Sequence, residues 1–247
     1  MQPTESTPSV RVFDDPEQVA REAAGLFVRL SIEAVSERGS FSVALSGGTT
    51  PRRVYELLAS DDYRTQVTWA SVHVFFGDER TVAPDHPDSN FRMANEALLS
   101  RVALPARNVH RMNGVGDAAA NASRYESELR AIFGDAEWPR LDLVMLGMGD
   151  DGHTASLFPG TTALAEERAW VVANWIEKFQ TWRITLTAPA INAAHRVLFL
   201  VTGAGKAERL REVLKGERDP SRLPSQLIQP RDGTLEWLVD RAAAAKL

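Results

Sequence analysis

The 247-residue sequence contains no cysteine, which excludes disulfides, thiolate metal sites and a cysteine nucleophile and is compatible with a reducing compartment. It has no apolar run long enough to span a bilayer, and residues 1–9 are polar and proline-containing, without the apolar core of a secretory signal. The expectation is a soluble cytoplasmic protein with no membrane contact and a flexible tail at residues 1–9. Long basic runs are also missing and the formal net charge is -5, so nucleic acid is not an expected partner. Repeats are absent too. A catalytic zinc draws on more histidine than accompanies Asp78, Glu79, Asp150 and Asp151, so no metal is expected. No Gly-x-Ser-x-Gly elbow occurs, which removes the nucleophile signature of many serine hydrolases.

What is present is a globular composition, 44% hydrophobic and 25% charged, sufficient for a single domain over residues 10–247. Residues 16–38 place Val19, Ala23, Leu26, Phe27, Leu30 and Ala34 on one helical face, with Asp14 and Asp15 before them as caps. Strands are predicted at residues 41–45, 72–76, 141–146, 170–173, 183–186 and 197–201, and further helices at 51–60, 89–99, 118–133, 206–214 and 235–245. This alternation predicts an α/β fold: a three-layer, Rossmann-like mixed sheet, mostly parallel, with helices on both faces. Residues 216–230, rich in proline and mixed charge, read as a surface excursion.

The most informative stretch runs from Leu141 to Ser156, where an apolar segment ends abruptly in Gly147-Met148-Gly149-Asp150-Asp151-Gly152-His153. It reads as a buried parallel strand whose carboxyl end, the usual ligand side of such sheets, delivers a histidine with carboxylates two and three residues away. Asp151 is placed to orient His153 as a general base. A capped turn with an exposed histidine is the bland alternative for this segment alone.

Three further segments end strands in the same way. Ser46-Gly47-Gly48-Thr49-Thr50-Pro51 follows a strand and opens a helix, a plausible phosphate cradle made of backbone N–H groups, hydroxyls and the positive helix end. It lacks the spacing and lysine of a nucleotide P-loop, which favours a small phosphorylated ligand over ATP; an ordinary capped turn is the alternative. Gly77-Asp78-Glu79-Arg80, with Ser89-Asn90 at a helix start, offers Arg80 as an oxyanion or phosphate ligand and Asp78 or Glu79 as its positioning group or as a partner for a substrate hydroxyl. Thr202-Gly203-Ala204-Gly205-Lys206 sets Lys206 at a helix start, where the backbone dipole disfavours a cation unless an anion joins it. Arg183 is a third candidate cation. Which of the three meets phosphate is open at this stage.

In their order, Ser46–Pro51, Gly77–Arg80 with Ser89-Asn90, Gly147–Gly160 and Thr202–Lys206 resemble the glucosamine-6-phosphate isomerase/6-phosphogluconolactonase family over about residues 41–206. The resemblance implies hydrolysis of 6-phospho-D-glucono-1,5-lactone to 6-phosphogluconate in the oxidative pentose phosphate pathway, without a cofactor. It implies His153, Asp151 and Arg80 as catalytic residues and Ser46, Gly47, Gly48, Thr49, Asp78, Asn90, Arg183 and Lys206 as ligands of substrate, in a monomer. The related deaminases resemble the pattern Asp-Gly-His-x-x-x-x-Glu-Pro-Gly, whereas this chain carries Phe158 before Pro159-Gly160. An apolar residue cannot replace that acid–base group, so deamination is the second reading. A non-catalytic sugar-phosphate sensor is the third, for which the chain shows no basic helix-turn-helix.

Overall fold

The fold is that of a computed structural model describing residues 9–247. In chain order its elements are β1 (Ser9–Phe13), α1 (Pro16–Arg38), β2 (Phe41–Leu45), α2 (Thr49–Leu58), α3 (Asp61–Arg64), β3 (Val72–Phe76), β4 (Asp78–Arg80), α4 (Asn90–Ala97) and α5 (Ala118–Phe133). There follow β5 (Leu143–Gly147), β6 (Val171–Ile176), β7 (Thr181–Leu186), α6 (Ala188–Asn192), β8 (Arg196–Val201), α7 (Ala207–Lys215) and β9 (Thr234–Asp240).

Local chemistry sets these boundaries. Asp15 is extended and accepts the Gln18 N–H at 2.8 Å, Pro16 opens α1, and Gly39, at φ 81°, ends it in a left-handed turn that costs a glycine little. Ser89 and Asp117 cap α4 and α5 in the same manner.

Six strands form one sheet in the order β1-β9-β8-β5-β2-β3, every neighbouring pair parallel. In central β5 the consecutive residues Leu143, Val144, Met145 and Leu146 are all fully buried. Successive side chains point to opposite faces, so both faces are covered and the layers number three. Each such aliphatic side chain stabilises the fold by about 2 kcal/mol through burial. β2 pairs with β5 through Val43↔Leu143 and Ala44↔Val144, yet from β2 the chain goes on to β3 at one side and from β5 it reaches β8 at the other. The sheet's switch point therefore lies between the carboxyl ends of β2 and β5, where a crevice opens.

The remaining strands, β4-β7-β6, form a separate antiparallel sheet. The segments predicted at 170–173 and 183–186 thus belong to a hairpin beside the parallel sheet and not to the sheet itself. The helix expected at 235–245 is replaced by β9: the alanines after Arg241 suggested a helix, but Trp237, Leu238 and Val239 pack in the core and pair with both β8 and β1, so tertiary packing overrides local propensity. β1 escaped the sequence reading because it is an exposed edge strand with no buried face. Ser9, assigned to the tail, begins that strand, and the rest of the expected tail lies outside the described residues. Residues 216–230 are more than a surface excursion, since Leu223, Ser225, Gln226 and Ile228 are buried. Among the described residues no helix is long and apolar enough to cross a membrane.

Candidate active site

The turn after β2 is pinned from below by Tyr55, whose hydroxyl accepts the Ser46 N–H at 3.0 Å and donates to the Ser46 carbonyl at 2.9 Å. Gly48, at φ 112°, leads into α2 and offers no capping side chain, so the first-turn N–H groups remain available to an anion. Pro51, placed by the sequence reading at the first helical position, lies two residues inside the helix. A Cβ on Gly47 would meet Asn90 Oδ1 at 2.0 Å, so only glycine allows this approach. Ser46 Oγ is buried and makes no hydrogen bond among the described residues. Thr50 Oγ1 meets Thr202 Oγ1 at 2.7 Å and ties this turn to the end of β8.

The turn after β5 folds back on itself through Gly149 N–H to His153 O at 2.8 Å and Gly152 N–H to Gly149 O at 3.1 Å. Gly152 is left-handed at φ 82°, and a Cβ there would press on Leu223 at 2.9 Å. From the other side Ser225 donates both its N–H and its hydroxyl to the Gly152 carbonyl, each at 2.9 Å. This compact loop sets Asp151 Oδ1 2.5 Å from His153 Nδ1 and 3.2 Å from the His153 N–H. With Asp151 as acceptor the ring proton resides on Nδ1, which leaves Nε2 as the basic nitrogen. The other carboxylate oxygen, Oδ2, accepts from Lys178 Nζ at 3.1 Å. Burial favours the neutral acid, but the hydrogen bond and charge of His153, aided by Lys178, outweigh it and hold Asp151 well below the usual carboxylate range. The His153 ring stacks on Phe158 with centroids 3.9 Å apart.

Opposite, Asp78 is buried, accepting from Asn90 Nδ2 at 3.1 Å and from Ser156 Oγ at 2.7 Å. Glu79 proves to be a structural cap: its two oxygens accept the N–H groups of Arg80, Asn90 and Phe91 and the Ser89 hydroxyl. Burial pushes its carboxyl up. Arg80 faces Arg183 across β4 and β7. Burial first, then the Arg80 charge, push the Arg183 guanidinium down, and both Nε atoms are buried without a hydrogen bond among the described residues. An anion near this pair would relieve a real electrostatic conflict. Lys206 ends a short 3₁₀ turn before α7 and forms an ion pair with Asp150; that turn is held from β9, where Asp240 accepts the Gly203 N–H at 3.0 Å.

These walls enclose a cleft of about 300 Å³ at the switch point. Of the sequence-predicted residues, Ser46, Gly47, Gly48, Thr49, Asp78, Arg80, Asn90, His153 and Lys206 line it. Asp151 stands behind His153, and Arg183, the cross-strand neighbour of Arg80, does not line the cleft. Sequence reasoning missed Thr202, Ser156, Ser225, Lys178 and the stacking role of Phe158. Thr202 and Ser156 lay within quoted motifs, while the contacts of Ser225 and Lys178 arise only from chain segments folding back and left no local signal.

Fold and cleft define an α/β protein that gathers cations, helix N–H groups and an aspartate–histidine pair around one small cleft. The family described as glucosamine-6-phosphate isomerases/6-phosphogluconolactonase matches residues 14–237, and the chain belongs to it. A 6-phosphogluconolactonase of Nostoc sp. is 44% identical over 243 residues, covering 97% of this chain and 98% of its own. The solved 6-phosphogluconolactonase from Trypanosoma cruzi superposes with a TM-score of 0.87 at 28% identity, over 100% of this chain and 99% of that one. A monomeric glucosamine-6-phosphate deaminase shares the fold at 22% identity, with a TM-score of 0.81 over 97% of this chain and 100% of its own.

Proposed function

We propose that the protein is an enzyme hydrolysing 6-phospho-D-glucono-1,5-lactone to 6-phospho-D-gluconate, the second step of the oxidative pentose phosphate pathway, with His153 as general base. The observation that carries the mechanism is the 2.5 Å contact of Asp151 Oδ1 with His153 Nδ1 at the wall of a cleft whose other wall is an uncapped helix start. The phosphate binds the N–H groups at Gly47–Thr49 together with Lys206, which exchanges Asp150 for it. His153 Nε2 takes a proton from the water that attacks C1, and Asp151 stabilises the imidazolium. Arg80, with Arg183 as its cross-strand neighbour, stabilises the tetrahedral oxyanion, and His153 returns the proton to the departing ring oxygen. A lactone is an activated ester with a tethered leaving group, so neither a covalent nucleophile nor a cofactor is needed. Residues 10–247 act as one domain in a cytoplasmic monomer, and nucleic acid has no part in the reaction.

Phe158 supports hydrolysis over deamination, since it sets an aromatic ring against His153 at the place where the deaminase pattern has a glutamate. The deciding experiment follows acid release from freshly prepared lactone above its spontaneous hydrolysis, with wild type, His153→Ala, and glucosamine 6-phosphate as a parallel substrate. Acceleration by wild type and its loss in the variant are expected. Ammonia from the amino sugar with no lactone acceleration would move the protein to the deaminases; binding of 6-phosphogluconate without turnover of either substrate would make it a sensor.

A further inference from the structure

The loop that carries Asp151 and His153 has a second support outside its own segment. The β6–β7 hairpin folds over it, turning through the 3₁₀ residues Glu177–Phe179 and the left-handed Gln180, at φ 49°. Glu177 stiffens the turn by accepting Trp175 Nε1 at 2.8 Å and Gln180 Nε2 at 2.7 Å. From this tip two adjacent side chains reach the two halves of the pair. Lys178 Nζ lies 3.1 Å from Asp151 Oδ2. Phe179 packs edge-on against Phe158, centroids 5.8 Å apart, and Phe158 is the ring stacked on His153.

The division of labour at Asp151 gives the lysine its significance. Oδ1 is taken by the imidazole and the His153 N–H, and Oδ2 meets Lys178. A carboxylate held at one oxygen can keep that hydrogen bond while its side-chain torsions shift together; a second bond at the other oxygen narrows those shifts and so holds the Nδ1 proton and the direction of Nε2. Of the other charges near this loop, Asp150 meets Lys206 and, through its carbonyl, Arg209, Glu177 is held within the hairpin turn, and the Arg183 guanidinium lies over the Phe179 ring, 5.8 Å from its centroid.

We propose that the hairpin tip positions the general-base pair, with Lys178 as a positioning residue that fixes the Asp151 carboxylate and Phe179 as the backing of the ring on which His153 rests. The inference rests on His153 acting as base in lactone hydrolysis. An exposed ion pair adds little to stability, so the effect belongs in the rate and its pH dependence. Without the lysine the Asp151 charge acts on the imidazole alone, favours its protonated form and moves the acidic limb of kcat/KM to higher pH.

The test compares wild type, Lys178→Ala, Lys178→Arg and His153→Ala in lactone hydrolysis between pH 5 and 9, with Tm measured by circular dichroism. Lys178→Ala is expected to lower kcat by roughly three- to tenfold with little change in KM. It should also raise the acidic limb by about half a pH unit, at unchanged Tm. Lys178→Arg should restore both. An unchanged limb and kcat in Lys178→Ala, or a loss that arginine does not repair, would overturn the positioning role while leaving the hydrolase assignment in place. Full activity in His153→Ala would instead remove the base on which the inference rests.

Discussion

His153 crosses the backbone of Gly149 so closely that a Cβ on that glycine would stand 2.0 Å from the imidazole Nδ1 and 2.9 Å from Asp151 Oδ1. A methyl group there would overlap the ring where it now lies, so Gly149→Ala must displace it. Displacement by about an ångström at a reacting group costs on the order of 100-fold in rate. We expect kcat for lactone hydrolysis to fall by about that factor, with far-ultraviolet circular dichroism unchanged. A fully active Gly149→Ala would show that the ring occupies another place during turnover.

Lys206 is bound to Asp150, and Asp150 is largely exposed, with 80% of its side chain accessible. A phosphate bound by Lys206, as proposed, would displace a partner that itself returns readily to water. Lys206→Ala removes a charge-assisted bond worth about 1.5–3 kcal/mol, so 6-phosphogluconate binding should weaken by roughly 10- to 100-fold. Asp150→Asn removes the competitor and should tighten it. Isothermal titration of both variants checks the pair of signs, and equal weakening in the two would place the phosphate away from Lys206.

Asp151 gives a pH dependence of stability with a definite sign. Its folded carboxyl lies below the ordinary value of 3.8, so the unfolded chain binds the proton more readily. The stabilisation is therefore complete above that value and lost as the pH falls through the lower folded value. Urea midpoints measured from pH 7 down to 2 should fall for wild type below about pH 4, and fall less steeply for Asp151→Asn. Parallel curves would mean that Asp151 is not held by His153 and Lys178 in solution.

How much of this was legible beforehand differs from element to element. β2 and β3 occupy the residues read from sequence, because an apolar run that stops at glycine leaves little freedom in either identity or end point. That the segments after β2 and β5 line one cleft was legible too, since the carboxyl ends of those two strands flank the switch point. β9 was misread because alanine content after Arg241 speaks for a helix, while the strand is specified by pairing with β8 and β1, two distant partners. Lys178 and Ser225 gave no signal for the same reason: each reaches the Asp151–His153 loop across many residues of chain, by a contact that exists only once the hairpin or the 216–230 segment has folded back. Local pattern encodes strand ends well and the supports behind them poorly.

Phe158 is where the lactonase-like and deaminase-like patterns part, and its packing predicts what a swap does. The ring is 6% exposed, stacks on His153 at 3.9 Å and meets Phe179 at 5.8 Å. A glutamate there would lose both aromatic contacts, each worth about 0.5–1.5 kcal/mol, and would set a buried carboxylate beside the imidazole. That second negative neighbour favours the protonated ring and so opposes its action as a base. Phe158→Glu should therefore lower Tm by several degrees, reduce lactone hydrolysis at pH 7 by at least tenfold with partial recovery at higher pH, and release no ammonia from glucosamine 6-phosphate. Ring opening and amine loss need further groups set around the sugar, which one carboxylate does not supply. Ammonia release by the variant would mean that this single position decides between the two chemistries, and that the rest of the cleft serves either.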